Sequence, residues 1–495
     1  MSNTSSRRFG LSKSKIAAFE QCPRRLWLQV HEPDRAEVDE GAEQRFAAGN
    51  TVGGLACALH PAGVMVEAEP DLGAAVAETS RLIAEGHKGP IFEATFQHNG
   101  VLVRVDLLER AGKRDWRAIE VKGSGSVKPQ YHGDLATQVW VMREAGIKLK
   151  SAAIRHLNTS FVLERENDYT GIFTDAELLA EVGPLVEKRA EVAAEARKML
   201  GADEPDIAPG GQCNSPYDCP FIGWCTRDLP EGPEWPVTVL PRGGGKKWLK
   251  QGIDDLLDLN ADQLTTKQAH ILEATRTGMP YHDVEGVLAE MSKWSWPRIW
   301  LDFETINPAI PLWIGTRPFQ QVPFQFSAHV ETEDGHITHH EFLDTSGRDP
   351  RAACAQALVD CIPTKGTVIA YYSSFEIGRL NELADAFPTH AKALRSMAQR
   401  TVDLLPIAQK HWYHRDQRGS WSIKEVLPTM VADGYAGLEV KDGGGAQDAY
   451  LEAINPETSD ARRRAIDAAL RAYCKLDTQA MIDVARVLSG EAKVV

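Results

Sequence analysis

The sequence predicts an α/β protein with two domains joined by a helical connector. The chain has 495 residues, which is more than a single hydrophobic core usually organises. In both halves, short runs with the alternation of strands are interspersed with longer segments of helical periodicity. A segment rich in proline and glycine at 229–244 separates the halves. We therefore expect domains at 1–230 and 296–495, with a linker and helical connector at 231–295.

The composition is that of an ordinary globular protein, with 43% hydrophobic and 25% charged residues. No apolar run reaches the length needed to span a membrane, and no apolar signal region follows the N-terminus. We therefore expect a cytoplasmic protein. The formal net charge of -14 argues against a surface that coats nucleic acid non-specifically, although acidic nucleases with a local basic groove remain compatible with it.

The first domain is expected to contain a three-stranded meander between helices. Alternating apolar residues predict strands at 91–97, 101–109 and 116–122, with His98-Asn99-Gly100 as a tight turn. Further strands are predicted at 64–67 and 152–157. Helical periodicity predicts helices at 42–59, 72–85, 134–145 and 177–199.

The second domain alternates strands and helices in the same way. A strand at 299–304 is followed by a hairpin around Glu333-Asp334-Gly335, formed by residues 324–330 and 336–343. The remaining elements are predicted at 350–361, 367–371, 374–385, 391–397, 404–410 and 461–488, the second of these being a strand and the others helices. The connector is expected to be helical and polar between about 246 and 291, with Thr265-Thr266 as a helix cap.

A first group of chemically active residues lies on the strands at 101–109 and 116–122. Residues i and i+2 of a strand share a face, so Glu120 and Lys122 project together while Ile119 and Val121 point the other way. Asp106 comes at the end of the run 101–105 within the preceding strand. Carboxylates on adjacent strands can hold Mg²⁺ or Mn²⁺, and a nearby lysine can stabilise charge on a phosphate. A set of surface ion pairs is the plainer interpretation of the same residues.

Two further residues extend this group. Glu93 in the first strand of the meander offers another carboxylate, and Gln138 on the following helix could position a nucleophile or DNA, with Tyr131 as a weaker choice. The ordered segments E-A-T-F, V-R-V-D, I-E-V-K and D-L-A-T-Q-V-W resemble a RecB-like nuclease of the PD-(D/E)XK superfamily. The resemblance covers about the first 230 residues and implies a restriction-endonuclease-like α/β/α core. Many relatives carry a metal-binding histidine in the helix before the sheet, which this sequence lacks; His60 lies beyond that motif.

Four cysteines form a second group, with one near the N-terminus and three clustered at the end of the first domain. They are Cys22, Cys213, Cys219 and Cys225. Four thiolates suit a [4Fe-4S] cluster or structural Zn²⁺, and reduced cysteines without metal are the plain alternative. The arrangement, with its Cys22-Pro23-Arg24-Arg25 context, resembles the iron–sulfur staple of RecB-like nucleases, although both gaps in the clustered group are x5 where relatives often have C-x2-C.

A third group consists of acids in the second domain. Asp302 and Glu304 share one face of a strand, and Glu376 begins a helix after another strand. Tyr473 and Asp477 lie one helical turn apart. Four carboxylates from three elements can hold two metal ions, which would clamp the attacking and leaving oxygens of a phosphodiester, and the phenol could orient water.

The segments D-F-E, A-Y-Y-S-S-F-E-I-G-R-L, W-S-I-K-E-V-L and Y-C-K-L-D resemble the DEDD family of 3′–5′ exonucleases. The resemblance covers residues near 297 to 495, favours the tyrosine subtype and implies an RNase H-like fold. Two positions depart from the family pattern. Glu376 stands where the family usually has aspartate, and Tyr371-Tyr372 replaces the usual His-Asn. An inactive, DNA-binding domain of this fold is therefore an alternative.

Together, the resemblances imply a metal-dependent DNA exonuclease that acts on single-stranded or frayed ends and has two separate nuclease sites. The combination resembles a family of bacterial RecB-like nucleases over nearly the whole chain. The rival hypotheses are a nucleic-acid-binding subunit with one or both sites inactive, and an RNA exonuclease. No ATPase P-loop occurs, so DNA unwinding would require a partner helicase. The oligomeric state cannot be read from the sequence.

Overall fold

The computed structural model describes residues 10–37, 42–68, 71–432, 434–435 and 437–494, with the backbone alone for 42–48. The chain forms two compact units. Unit 1 comprises Met1–Pro230 together with Pro308–Phe319, and unit 2 comprises Glu231–Asn307 together with Gln320–Val495. Residues 308–319, predicted to lie in the second domain, therefore belong to the first compact unit.

Unit 1 is built around one mixed sheet whose seven described strands run in the order β2-β3-β4-β5-β6-β7, with β1 beside β4. The strands are β1 (Leu11–Ser12), β2 (Val64–Met65), β3 (Ile91–His98), β4 (Val101–Arg110), β5 (Trp116–Lys122), β6 (Leu149–Leu157) and β7 (Phe173–Glu177). The helices described in this unit are α1 (Lys13–Gln21), α2 (Pro23–His31), α3 (Ala42–Ala58), α4 (Leu72–Ala84), α5 (Gln130–Glu144), α6 (Gly183–Leu200) and α7 (Ile222–Thr226).

The predicted meander is confirmed, because β3, β4 and β5 pair in sequence as antiparallel neighbours. The helix predicted at 177–199 is wrong at its start. Residues 173–177 form β7, which pairs antiparallel with β6, and α6 begins only at Gly183. The Ala- and Glu-rich composition favours a helix locally, but the exposed edge of β6 offers hydrogen bonds that an added strand satisfies.

Residues Pro308–Phe319 form a strip on unit 1. Ala309, Ile310 and Phe319 pack against a cluster that contains the buried Leu157 and Ile172. The backbone of Leu163 donates to Thr316 O at 3.0 Å and accepts from Gly315 N at 2.8 Å. The strip thus covers apolar side chains at and beyond the end of β6, although it is distant from them in sequence.

Unit 2 contains a mixed sheet in the order β11-β10-β9-β12-β13. Its strands are β8 (Tyr281–His282), β9 (Arg298–Ile306), β10 (Val322–Glu331), β11 (Ile337–Leu343), β12 (Thr367–Ala370), β13 (Thr401–Asp403) and β14 (Trp412–Tyr413). Its described helices are α8 (Lys246–Leu249), α9 (Thr266–Thr277), α10 (Val284–Met291), α11 (Arg351–Cys361), α12 (Ser374–Ala386), α13 (Ala391–Gln399), α14 (Leu404–His411), α15 (Ile423–Val426), α16 (Gly443–Ile454) and α17 (Asp460–Leu488).

The strand β9 is central to unit 2. It pairs antiparallel with β10 and parallel with β12, and the hairpin of β10 and β11 is confirmed. Residues 231–295, expected to be a connector, contribute to the hydrophobic core of unit 2. Trp248 and Leu272 belong to the same buried cluster as Val484 of α17. The Thr265 side chain caps α9 together with Gln268, as the sequence predicts.

Both units combine helices with sheets that mix parallel and antiparallel pairing, which confirms the α/β class. The finer fold assignments stay predictions. Among the described residues, no helix has both the length and the apolar character needed to cross a bilayer.

Candidate active sites

The acids of unit 1 lie where β4 and β5 separate. Ladder pairing between these strands runs from Arg110↔Trp116 to Leu107↔Ile119 and stops before Asp106 and Glu120. Beyond that point a side chain replaces the backbone as hydrogen-bond acceptor: the Asp106 carboxylate accepts from Val121 N at 2.6 Å. The divergence leaves room for polar side chains at the end of an otherwise apolar sheet.

Glu120 is the centre of this site, with a side chain only 3% exposed. Lys122 donates to its Oε1 at 2.9 Å, and Lys13 of α1 donates to the same oxygen. Gln138 of α5 donates to Oε2 and also to Arg104 O at 3.1 Å. The structure thus brings three predicted residues together, Glu120, Lys122 and Gln138, with Asp106 beside them.

The two carboxylates of this site differ in their ionisation. Burial, reinforced by the charge of Glu120, raises the pKa of Asp106 to about 7. Burial would also raise the pKa of Glu120, but the ammonium groups of Lys13 and Lys122 outweigh it and hold that pKa at about 2. Burial opposes the charge of Lys122, yet Glu120 and Asp134 raise its pKa above the usual range. The negative charge of this carboxylate pair therefore rests on Glu120 more than on Asp106.

The other predicted residues of unit 1 lie around this centre. Glu93 faces Arg104, with Oε2 3.1 Å from Nε, and its charge acts on Asp106. Its φ of 53° is unusual for a side-chain-bearing residue, and the β3–β4 ladder is interrupted at Glu93 and the opposite Asp106 without a change of register. The Lys122 ammonium lies 5.0 Å from the centre of the Tyr131 ring.

Two residues of this site were not predicted. Asp134 accepts from Lys122 at 3.0 Å, and it precedes Gln138 by one helical turn on α5, a spacing that could have identified it. Lys13 lies 107 residues before Glu120 in the sequence, and no local pattern connects the two. It reaches the site because β1 pairs with β4 and ends where α1 begins.

The four cysteines predicted as a cluster line one small cavity of about 10 Å³ in unit 1. Gln21, the residue before Cys22, donates to the backbone oxygens of Gln212 and Tyr217 at 2.8 and 2.6 Å. The N-terminal helix is therefore joined to the distant cysteine segment. Burial raises the pKa of the Cys219 and Cys225 thiols, while Arg25 and Arg24 respectively oppose this rise.

The cavity brings together four thiols from two distant parts of the chain, Cys22 on one side and Cys213, Cys219 and Cys225 on the other. Four thiolates suit either a four-iron cluster or structural zinc. The donor set is therefore that of a metal centre, and both metals stay predictions.

The acids of unit 2 share one cavity of about 330 Å³. All five residues predicted for this site line it: Asp302 and Glu304 of β9, Glu376 of α12, and Tyr473 and Asp477 of α17. Asp302 and Glu304 each place a ligand atom within 4.8 Å of the other and of the Cys474 sulfur. Cys474 was not predicted here, because a cysteine within an amphipathic helix also fits a small buried hydrophobe.

The carboxylates in this cavity oppose one another's charge. Burial and the neighbouring Asp477 raise the pKa of Glu304 to about 8, and burial raises that of Glu376 to about 8. Asp302 is raised well above its usual value by burial and by Asp477. Burial raises the pKa of Asp477 to about 6, and a hydrogen bond from Tyr435 limits that rise. Such a group of acids binds either protons or cations.

One cation lies beside these acids. Lys424 of α15 donates to the Tyr473 hydroxyl at 2.9 Å and to Lys441 O at 2.6 Å. Tyr435 donates to Asp477 at 2.6 Å. Lys424 lies within the W-S-I-K-E-V-L segment, whereas Tyr435 has no recognisable sequence signal.

Comparison with known proteins gives one finding for unit 2. Residues 299–422 match a family model described as a domain of unknown function, DUF2779. A search of curated proteins found no match. The matched range begins in β9 with Asp302 and Glu304 and includes Glu376, but it ends before α17, which carries Tyr473 and Asp477.

Proposed function

We propose that this protein is a metal-dependent nuclease that hydrolyses phosphodiester bonds of DNA at single-stranded or frayed ends. One observation carries the proposal: carboxylates from three elements of unit 2 line a single cavity, and the pKa of each is raised. Leaving such charges close together is unfavourable without a counter-ion. Mg²⁺ or Mn²⁺ held by Asp302, Glu304, Glu376 and Asp477 would polarise the phosphodiester and lower the pKa of a bound water.

The chain's own side chains complement that chemistry. The Tyr473 hydroxyl oxygen accepts a hydrogen bond from Lys424. The hydroxyl proton of Tyr473 is therefore free to be donated to a water or to Asp477. Burial raises the pKa of Tyr473 above its usual range, so this phenol acts as a donor that orients a nucleophile and not as its base. The Lys424 ammonium can balance negative charge that develops on a phosphate.

The site of unit 1 supports the same activity. Asp106 and Glu120 would hold a metal, Lys122 would stabilise charge and Gln138 would position the nucleophile. The arrangement already contains a second ammonium, that of Lys13, which neutralises Glu120. Because the chain has two independent sites, we expect a change in either one to reduce cleavage without abolishing it.

We further propose a [4Fe-4S] cluster on Cys22, Cys213, Cys219 and Cys225, supported by the meeting of all four thiols at one cavity. Protein purified without oxygen should be brown and contain about four iron atoms per chain. Cys22→Ser should lose iron, whereas Cys57→Ser, outside the group, should retain it. A colourless protein that contains zinc would contradict this assignment.

The nuclease proposal is tested with end-labelled single-stranded, frayed and duplex DNA, and with RNA, in Mg²⁺, Mn²⁺ or chelator. Asp302→Asn and Glu120→Gln should each remove part of the metal-dependent cleavage, and the double variant should remove all of it. Glu333→Gln, at an exposed hairpin acid, is the matched control. Binding without any cleavage would instead identify a nucleic-acid-binding subunit, and cleavage of RNA alone would identify an RNA exonuclease. If duplex DNA is cut only when a helicase is added, the result would support the expected helicase partner.

A further inference from the structure

The acid-lined cavity of unit 2 has an exposed aromatic side chain among its lining residues. Tyr372 follows β12 and is 61% exposed, whereas the adjacent Tyr371 is partly buried and donates its hydroxyl to Trp421 O at 2.6 Å. Isolated exposed apolar residues are common on proteins, so exposure by itself carries no conclusion. The position of Tyr372 beside the carboxylates and its backbone conformation together separate it from an ordinary surface residue.

The backbone of Tyr372 has a φ of 72°, in a region that bulky side chains rarely occupy. Glycine would adopt this conformation without strain. The conformation is held by Asp403 at the end of β13, whose two carboxylate oxygens accept from Tyr372 N at 2.9 Å and from Ser373 N at 3.1 Å. A large aromatic group thus stands at a position where the fold alone would favour glycine.

The cavity also contains an unsatisfied polar group. Glu376 is only 3% exposed, and its Oε2 has no hydrogen-bond partner among the described residues. This carboxylate lines the cavity four residues after Tyr372, near the start of α12. Its unpartnered oxygen is available to the proposed metal ion, and a substrate bound at that ion would lie in the same cavity as the Tyr372 ring.

We propose that Tyr372 is the stacking platform for an unpaired nucleobase at the end of a DNA strand whose adjacent phosphodiester lies at the acids. An aromatic face accepts any base by stacking, so this role requires no sequence specificity. It selects instead for bases that are not already stacked in a duplex. This inference rests on the proposed nuclease function and assigns its substrate as a single-stranded or frayed end.

The test uses the full chain with Ca²⁺ replacing the catalytic ion and a short single-stranded oligonucleotide carrying 2-aminopurine at its 3′ or its 5′ end. Stacking on a tyrosine ring quenches the fluorescence of this base analogue. The wild-type protein should quench the probe at one of the two ends. Tyr372→Ala should abolish the quenching and weaken binding about 5- to 150-fold, whereas Tyr372→Phe should preserve both.

Tyr372→Gly separates binding from stability. It should lose the quenching as alanine does, yet its melting temperature should be unchanged or higher, because glycine relieves the strain at positive φ. Unchanged quenching and affinity in Tyr372→Ala would overturn the inference. So would a glycine variant whose melting temperature and affinity fall together, since that result identifies a structural residue.

The same oligonucleotide in Mn²⁺ distinguishes this inference from the proposed function. If the wild-type protein cuts it and Tyr372→Ala binds and cuts it equally well, the inference fails while the nuclease function stands. If the wild-type protein neither binds nor cuts any nucleic acid, both fail.

Discussion

Replacing Glu304 by glutamine removes one charge from the acid cluster of unit 2 while keeping the size of the side chain. The pKa of this group rises from 4.5 in the unfolded chain to about 8 in the fold. A group with a raised folded-state pKa stabilises the fold fully below the lower value, and that stability is lost as the pH rises through the higher one. The metal-free wild-type protein should therefore lose stability between about pH 4.5 and pH 8.

The magnitude follows from the size of this pKa difference. A rise from 4.5 to about 8 corresponds, at about 1.4 kcal/mol per pH unit, to a ceiling of roughly 5 kcal/mol. The neighbouring carboxylates respond to one another's ionisation, so removing one charge should recover a part of this, about 1–3 kcal/mol at pH 8. The corresponding increase in melting temperature is about 2–4 °C for each kcal/mol.

The assay is calorimetric unfolding in a chelating buffer at pH 5 and at pH 8, for the wild-type protein and Glu304→Gln. The variant should be the more stable of the two at pH 8 and should lose that advantage at pH 5. Adding Mn²⁺ at pH 8 should stabilise the wild-type protein more than the variant, because the ion replaces the missing protons. Glu333→Gln controls for the substitution itself. A difference between variant and wild type that is equal at both pH values would refute the reasoning.

Three further predictions concern other contacts. Lys13→Met should lower the melting temperature in chelator at pH 7, because Glu120 then lacks one of its two ammonium partners, and Mn²⁺ should restore the variant more than it stabilises the wild type. Glu20→Ala should cost about 1–3 kcal/mol in denaturant unfolding, because it removes the carboxylate paired with the buried Arg189 guanidinium, whose Nε keeps its bond to Leu185 O. No measurable loss would show that solvent replaces this partner. Thr265→Ala should cost about 1 kcal/mol in the same experiment by removing the cap of α9, and Thr265→Ser should restore most of it.

Local sequence patterns predicted the strands that carry the sites, because those strands have strong two-residue periodicity. The opposite orientations of Glu120 and Ile119 follow directly from that periodicity, and the structure confirms them, with Ile119 in an apolar cluster behind the sheet. Tyr473 and Asp477 meet the other acids because α17 is a long amphipathic helix, whose face is also readable from the sequence.

Residues that reach a site through tertiary pairing were not predictable in this way. Lys13 depends on the parallel pairing of β1 with β4, and Asp403 on the alignment of β13 beside β12. The helix α16 was missed because Gly443-Gly444-Gly445 has the composition of a loop. Its start is stabilised by Asp442, which accepts from Gly445 N at 2.8 Å, and Tyr450 anchors it by stacking on Phe324 with ring centres 3.9 Å apart.

The strip at 308–319 has a consequence for how the chain folds during synthesis. Ribosomes add about 5–20 residues per second, so the strip follows residue 230, the end of the first segment of unit 1, by roughly 4–18 seconds. During that interval the cluster around Leu157 and Ile172 lacks the apolar side chains that the strip supplies, Ala309, Ile310 and Phe319. Unit 1 therefore cannot complete its folding before synthesis of unit 2 is well under way. A fragment ending at residue 230 should accordingly be prone to aggregation, and adding residues 308–319 as a separate peptide should reduce that tendency.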